Sequence, residues 1–180
     1  MTFTDRKGQT WTFRPLEDRD LHSWITLSQR IVDDGRGVVM DLDEVTSTVE
    51  DARKRLAAFL ERPDHLALAA VDDEGHLAGT CEVTRFRLRR LAHVGLLALG
   101  VDPLWQGRGL GRALTEAAVA WCDQQGIERI ELYTRADNER AIALYQSLGF
   151  EHEGTRRHFL QLADGSFVDD RIYGRLRPHA

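Results

Sequence analysis

The chain has 180 residues, of which 42% are hydrophobic and 29% are charged, as is usual for a globular domain. This length favours one domain, residues 1–180, with a core large enough to need no disulfide or metal for stability. The formal net charge of −5 argues against a nucleic-acid-binding protein, because such surfaces are usually basic. The N-terminal stretch lacks the pattern of a signal peptide, and no apolar run reaches the roughly 20 residues needed to cross a bilayer. We therefore expect a cytoplasmic protein without a membrane partner.

The two cysteines, Cys81 and Cys122, lie far apart in the sequence and show no paired spacing. A disulfide framework or a zinc site would require such spacing. Because free cysteine is usually buried, we expect two small core residues and no bound metal.

The first third of the chain predicts one strand followed by two helices. Thr10–Phe13 alternates between polar and apolar residues, as a strand does. Asp18–Ile31 and Leu42–Leu60 repeat apolar residues at helical spacing, and Asp33–Val38 between them, with two glycines, is predicted to be a loop. The inward face of the second helix is expected to consist of Val45, Val49, Leu56 and Leu60.

The rest of the chain predicts strands interleaved with helices. Three strands come first, and because short loops join them we expect them to be antiparallel neighbours. Two helices that flank a fourth strand come next, and a hairpin follows. The predicted strands are His65–Val71, Leu77–Phe86, His93–Val101, Ile130–Tyr133, Phe159–Leu162 and Phe167–Leu176, and the predicted helices are Leu110–Gln125 and Asn138–Leu148. This order indicates an α/β fold with one mixed sheet, in which the crossover from His93 to Tyr133 joins two parallel strands.

A glycine-rich loop lies where the strand ending at Val101 leads into the helix beginning at Leu110. The first amides of a helix have no intrahelical partner and the helix dipole adds partial positive charge, so this position suits a phosphate or diphosphate. Glycine lets the backbone approach the anion closely, and Arg108 and Arg112 add full charges. A turn that only closes the helix onto the sheet is the simpler alternative.

Three phosphate-binding motifs can be compared with this loop. The patterns GxGxxG and GxxxxGK[ST] fail here, the first on spacing and the second on a missing lysine. The pattern [Q/R]xxGxG is matched by Gln106, Gly109 and Gly111, and in these residues the chain resembles the GNAT acyltransferases, in which this loop holds coenzyme A. The resemblance implies acetyl-coenzyme A as cosubstrate, bound by Gln106, Gly107, Arg108, Gly109, Leu110, Gly111 and Arg112.

A second motif, Asn138–Phe150, resembles the other GNAT signature, N…A…LY…GF. By this resemblance Asn138 and Ala141 bind the cofactor, and Tyr145 protonates the thiolate that leaves when an amine attacks the thioester. General-acid help of this kind contributes about 10²–10⁴-fold. The alternative role for Tyr145 is an aromatic core residue on an amphipathic helix. On a helical wheel, Tyr145 shares its face with Asn138 and Ala141, whereas Leu144 lies on another.

The resemblance also implies a fold: a single mixed sheet of about six to seven strands, splayed around the coenzyme A arm and flanked by about four helices. In this family the arm lies where the central strand, here His93–Val101, separates from its parallel neighbour. Its amides pair with the backbone around Leu99 and Val101 in the manner of an added strand. The later segments Gly154–Arg156 and Asp164–Asp169 look like the branch of ribosomal-protein-type and bacterial amino-acid N-acetyltransferases.

A base should remove a proton from the attacking amine, and many GNAT enzymes place a glutamate in or beside the central strand. The segment Gly95–Val101 has no carboxylate, which is a departure from the family. Glu82, on the preceding strand, is the first candidate, and its alternative role is a salt-bridged strand carboxylate. His93, Glu131 and a relay through water remain open.

The acceptor is expected to be an amino acid, a small amine or a peptide N-terminus. The acidic segment Asp41–Asp51 either walls the acceptor site and favours a cationic amine or is a solvated helix face. A basic run could meet an acceptor carboxylate, the 3′-phosphate of the cofactor or only water; it consists of Arg85, Arg87, Arg89 and Arg90. Dimers are common in this family, so a homodimer is also open.

Two other functions compete with an N-acetyltransferase. A coenzyme A-binding module without turnover would keep the fold as a sensor, but Tyr145 and the Gln106–Gly111 loop argue against it. A nucleotide-dependent oxidoreductase is disfavoured by the glycine spacing. The sequence therefore predicts an acyl-coenzyme A-dependent N-acetyltransferase.

Overall fold

The computed structural model describes residues 1–35, 39–45 and 48–178, so the end of the predicted loop Asp33–Val38 lies outside the described residues. The described residues form one sheet of eight strands, flanked by four α-helices. The strands are β1 (Thr2–Thr4), β2 (Thr10–Pro15), β3 (Leu66–Val71), β4 (Leu77–Arg85), β5 (Val94–Val101), β6 (Arg129–Arg135), β7 (Glu151–Gln161) and β8 (Phe167–Leu176). The helices are α1 (Leu21–Asp33), α2 (Val49–Leu60), α3 (Leu110–Gln124) and α4 (Glu139–Ser147).

The strands lie in the order β1-β2-β3-β4-β5-β6-β8-β7. Neighbouring strands are antiparallel except β5 and β6, which are parallel and are connected through α3. This arrangement confirms the predicted mixed sheet and its parallel crossover. The strand number is slightly higher than the six to seven expected.

Two strands differ from the predictions because their sequences give little periodic signal. β1 has only three residues and pairs with β2 to form an N-terminal hairpin that was not predicted. β7 begins at Glu151, well before the predicted Phe159–Leu162. Much of this edge strand is polar and exposed, and its register with β8 shifts twice. A strand without a buried face does not show the alternation from which strands are predicted.

The predicted helix Leu42–Leu60 is wrong in its first part. Leu42–Glu44 forms a short 3₁₀ turn, and α2 begins only at Val49. The hydroxyl of Thr48 accepts a hydrogen bond from the amide of Asp51 (3.1 Å) and so caps the helix. Among the residues expected to face inward, Val45 and Leu56 are buried and Val49 is partly buried. Leu60 is 52% exposed.

The helices form one layer on each face of the sheet. α1 and α2 cover one face, where the buried cluster includes Leu16, Leu21, Trp24, Leu27, Leu56 and Ala69. α3 and α4 cover the other face, where it includes Leu97, Leu110, Leu114, Ala118, Leu132 and Tyr145. Cys81 and Cys122 are free and buried in this second cluster, as predicted. Within the described residues, none of the helices has the length and apolar character needed to span a bilayer.

β5 and β6 pair only at their first residues. Their parallel register joins Val94–Leu96 to Arg129–Glu131, whereas β5 continues to Val101 and β6 to Arg135. Beyond these pairs the two strands separate, which confirms the predicted splay. The separation opens a gap in the middle of the sheet.

Candidate active site

The gap between β5 and β6 opens into a cleft of about 1250 Å³ that is lined from both faces of the sheet. We call the part on the α3/α4 face the cofactor half and the part on the α1/α2 face the acceptor half. The walls of the cofactor half include Leu97, Leu99, Val101, Gln106, Gly107, Gly109, Gly111, Arg112, Asn138, Arg140, Ala141, Leu144 and Tyr145. The walls of the acceptor half include Ile31, Val32, Val39, Met40, Leu96, Ala98, Tyr133, Arg135, Arg156, Phe159 and Asp170.

The loop before α3 places backbone amides at the cleft. Gly107 and Gly109 have φ angles of 76° and 96°, a left-handed conformation that glycine adopts without strain. Gly109 is the N-cap of α3, and the amide of Ala113 donates to its carbonyl (3.1 Å) in the first hydrogen bond of the helix. The amides of residues 110–112 are therefore donors that the helix itself does not use, and they suit an anion.

Asp102 fixes the start of this loop. Its buried carboxylate accepts hydrogen bonds from the amide of Leu104 (2.9 Å) and from Nη1 of Arg30 in α1 (2.8 Å). A Cβ at position 111 would lie 3.5 Å from the side chain of Leu99, which is an ordinary contact distance. The N-terminus of α3 therefore lies directly against β5.

Gln106 joins the loop to the elements on either side. Its Nε2 donates to the carbonyl of Val101 (3.1 Å), and its Oε1 accepts from Nη1 of Arg140 in α4 (2.7 Å). Arg140 was not predicted as a site residue, because only the packing of α4 against the loop brings it there. It adds a cation beside the free amides at the start of α3.

The N-terminal hairpin lies against the other side of the loop. The amide of Arg6, in the turn between β1 and β2, donates to the carbonyl of Arg108 (3.1 Å), and Arg6 lines the cleft. The guanidinium of Arg108 lies over the Trp105 ring (4.4 Å) and 3.7 Å from the buried carboxylate of Asp5. Arg108 and Leu110 are not part of the cleft wall that the described residues form.

The second predicted signature lies on the opposite wall. Asn138 is the N-cap of α4, and its Oδ1 accepts a hydrogen bond from the amide of Ala141 (3.2 Å). Both residues line the cleft. Leu144 also lines it, although the helical wheel placed this side chain on another face, because the cleft covers more than one row of the helix.

Tyr145 forms part of the wall of the cofactor half. Its side chain is 6% exposed and packs edge-on against Phe150, with ring centroids 5.8 Å apart. Its hydroxyl makes no hydrogen bond to a described residue. Burial, and to a smaller extent the neighbouring Cys81, raises the pKa of Tyr145 above its ordinary value. The hydroxyl therefore stays protonated through the neutral range, as a general acid must.

The acceptor half is built on β6, β7 and β8. Cross-strand partners share a face, and the register places Asp170 of β8 between Arg135 of β6 and Arg156 of β7. The carboxylate of Asp170, a buried residue, accepts from Nε of Arg156 (2.8 Å) and also from its Nη2. Arg135 donates to Asp137 (3.0 Å) and to the carbonyl of Gly35 (3.0 Å). In the sequence Arg156 belongs only to a family motif and Arg135 and Asp170 to none, because the three residues come from separate segments.

Glu82, the predicted base, lies on the same face of the sheet as its cross-strand partner Ala98. Its side chain is 16% exposed, and Oε2 lies 3.8 Å from Nη2 of Arg55 in α2. Burial raises the pKa of Glu82, and the nearby Arg55 opposes this shift less strongly. In the cleft wall formed by the described residues, Ala98 takes part and Glu82 does not. A role for Glu82 as base stays a prediction.

The other charged segments considered in the sequence lie outside the cleft wall of the described residues. Arg85 donates to the carbonyl of Ala92 in the β4–β5 connection, at the end of β5 opposite the loop before α3. In the acidic segment, Asp41 and Glu44 cap their own 3₁₀ turn, and Glu50 lies 3.7 Å from Lys54. Among the described residues, the acidic segment contributes nothing to the wall of this half, whereas Val39 and Met40 just before it do.

Comparison with known proteins identifies the family. The model of the acetyltransferase (GNAT) family matches residues 36–150. The chain belongs to this family. Among curated relatives of this GNAT chain, a mycothiol acetyltransferase from Beutenbergia cavernae is 35% identical over 129 residues. The match covers 72% of this chain but 40% of that protein, so the chain spans less than half of the relative's length.

Solved structures share the fold. A GNAT-family acetyltransferase from Streptococcus pneumoniae has a TM-score of 0.86 at 26% identity, covering 93% of this chain and 99% of that one. A ribosomal-protein-alanine N-acetyltransferase from Brucella melitensis has a TM-score of 0.81 at 21% identity, with coverage of 92% and 99%. Membership of the family confirms the resemblance to the GNAT acyltransferases that the sequence motifs indicated.

Proposed function

We propose that this chain transfers the acetyl group of acetyl-coenzyme A to the primary amine of a small molecule by direct attack. The observation that carries the proposal is the gap between β5 and β6. There, the amides before α3 and the ring of Tyr145 line one continuous cleft. The name of the curated relative, mycothiol acetyltransferase, supports a small-molecule acceptor.

Binding of the cosubstrate would use the cofactor half. The diphosphate would accept hydrogen bonds from amides of the Gln106–Arg112 loop, with Arg6 and Arg140 as nearby cations. The pantetheine arm would follow β5 where β6 has left it. Backbone groups of Leu99 and Val101 that face the gap have lost their sheet partner there, so the amides of the arm can take its place.

The reaction would begin with attack of the amine nitrogen on the thioester carbonyl carbon. The C–N bond forms, the carbonyl oxygen becomes negatively charged, and the C–S bond then breaks to release a thiolate. Tyr145 would give its proton to the sulfur and regain one from solvent. The proton lost by the amine would pass through water to Glu82, whose raised pKa brings its proton affinity closer to that of an amine.

The two substrates would enter from opposite faces of the sheet. The thioester arrives from the cofactor half, the amine arrives from the acceptor half, and the gap holds them in line. Such positioning replaces a collision in solution by a step within one complex.

A coenzyme A-binding module without turnover is the second candidate. Calorimetric titration with acetyl-coenzyme A, followed by thiol release against a panel of amines, separates the two. We expect both binding and amine-dependent thiol release. Binding without release for any amine would favour the module, and absence of binding by the folded protein would contradict both.

A further inference from the structure

Arg156 is held in the wall of the acceptor half by contacts on several sides. Its Nε and Nη2 donate to Asp170. Its Cζ lies 4.5 Å from the ring centroid of Tyr133 and 3.7 Å from that of Phe159. The Arg156 side chain is still 35% exposed, whereas that of Asp170 is 2% exposed. These contacts fix the plane of the guanidinium while leaving part of it open to the cleft.

The Arg156 nitrogen that remains available for a ligand is Nη1. This nitrogen donates to no described residue, and two hydrogen-bond donors therefore remain. The rings of Tyr133 and Phe159 lie against the guanidinium plane, so a ligand has to approach within that plane. A planar carboxylate is the group that matches a fixed guanidinium edge in both charge and shape.

The charges around Arg156 are balanced. Asp170 offsets Arg156, and Asp137 offsets Arg135. The rest of this wall is largely apolar, with Ile31, Val32, Val39 and Met40 facing the same space. A molecule that carries one positive and one negative group fits such a surface better than a plain cation does. A plain cation has no negative group to place at Arg156.

We infer that Arg156 binds the carboxylate of the acceptor, so that the acceptor is a free amino acid rather than a plain amine or a peptide N-terminus. With its carboxylate at Arg156, the acceptor can direct its amine into the gap between β5 and β6. This inference rests on the proposed function and narrows its acceptor class. Arg156 acts here as a specificity-determining residue that touches substrate.

The test compares amino acids with their amides, which keep the amine but lose the carboxylate. Thiol release is measured for each L-amino acid and its amide, with wild-type protein, Arg156→Gln, Arg156→Lys and the control Arg157→Gln. Arg157 is the exposed next residue on β7 and lies outside the cleft wall of the described residues. We expect kcat/KM to favour the acids by about 10- to 100-fold, the usual size of a charged hydrogen-bond effect. Arg156→Gln should remove this preference by raising the KM of the acids, while Arg157→Gln should keep the preference.

Equal turnover of acids and amides by the wild type would overturn the inference, as would an equal loss for both in Arg156→Gln. Turnover of amines or peptides alone would overturn it and leave the proposed function intact. Failure to bind acetyl-coenzyme A would instead refute the proposed function. If acetyl-coenzyme A binds without turnover, each amino acid and its amide are titrated by calorimetry into the complex with coenzyme A. Equal affinity for the acid and the amide would overturn the inference. Thermal unfolding checks that the variants fold. The double variant Arg156→Gln with Asp170→Asn removes the charge of the carboxylate that Arg156→Gln leaves unpaired.

Discussion

The cofactor half and the acceptor half of the cleft are built in different ways. The cofactor half uses two continuous segments, the β5–α3 connection and α4, and much of what it offers is backbone. The acceptor half uses side chains from α1, β6, β7 and β8, which meet only because the sheet places them together. A site made of backbone groups can therefore be read from a local motif, whereas a site made of side chains depends on topology.

The difference also divides the expected effects of mutation. Changes in the cofactor half should alter cosubstrate binding or chemistry with every acceptor, because the thioester is common to all reactions. Changes in the acceptor half should act on some acceptors and not on others. The following variants test this division.

Tyr145→Phe should have the largest effect, because it removes the proton donor for the leaving thiolate while keeping the ring packed on Phe150. We expect kcat to fall about 100-fold or more with every acceptor, and the Kd of acetyl-coenzyme A to change less than about twofold. Tyr173→Phe is the matched control. The Tyr173 hydroxyl likewise makes no hydrogen bond to a described residue, but it is buried and Tyr173 lies outside the cleft wall that these residues form. Similar losses in both variants, or parallel losses of kcat and affinity, would make Tyr145 a packing residue.

Gly109→Val should weaken acetyl-coenzyme A binding by about tenfold or more, as measured by calorimetry. A branched side chain is strained at a φ of 96°, so the amides of the loop would shift to relieve the strain. Gly165→Val is the control for strain alone, because its φ is 84° with open space around it. An unchanged Kd in folded Gly109→Val would remove the anion site from this loop.

Glu82→Gln tests the link between the two halves and should lower kcat/KM about tenfold near neutral pH. A base must be ionised, and the raised pKa of Glu82 means that activity rises with pH through a range above that of an ordinary glutamate. The variant should lose this acidic limb of the pH profile, whereas exposed Glu74→Gln should keep it. A limb that persists in Glu82→Gln would assign the proton to another base or to water.

Asp5→Asn should have the smallest effect on activity and should lower the free energy of unfolding by about 1 kcal/mol. Burial opposes ionisation of Asp5, but hydrogen bonds from the amides of Lys7 and Gln9 and from the Trp11 indole, with Arg108 nearby, hold its pKa below the usual value. A lowered pKa gives stability that is present above the unfolded value of about 3.9 and is lost as pH falls through the folded value. Urea unfolding between pH 7 and pH 3 should show a flatter acid limb in the variant. An unchanged acid limb would show that ionised Asp5 does not stabilise the folded state.

The same division separates the features that could be predicted from the sequence from those that could not. The Gln106–Arg112 loop and the α4 motif were predictable because each is contiguous and carries its own chemistry. The start of α2 was not, because a single side chain, Thr48, caps the helix within a sequence that looks helical further upstream. Arg6 and Arg140 could not be predicted either, since only packing brings them to the loop.

The segment Gly154–Arg156 shows the limit most clearly. The sequence identified it as a feature of a family branch, without a structural role for the arginine. In the structure Arg156 pairs with Asp170, while the neighbouring Asp169 accepts a hydrogen bond from the amide of His158 (2.8 Å). Which of two adjacent carboxylates faces the cleft depends on strand register, and the bulges of β7 conceal that register from any periodic pattern.

A crystal structure of the protein with coenzyme A tests most directly whether the gap between β5 and β6 receives the cosubstrate. We expect the diphosphate within hydrogen-bond distance of amides in the segment 107–112, and the thiol sulfur close to the hydroxyl of Tyr145. Coenzyme A bound elsewhere, with β5 and β6 closed against each other, would contradict the assignment of both halves.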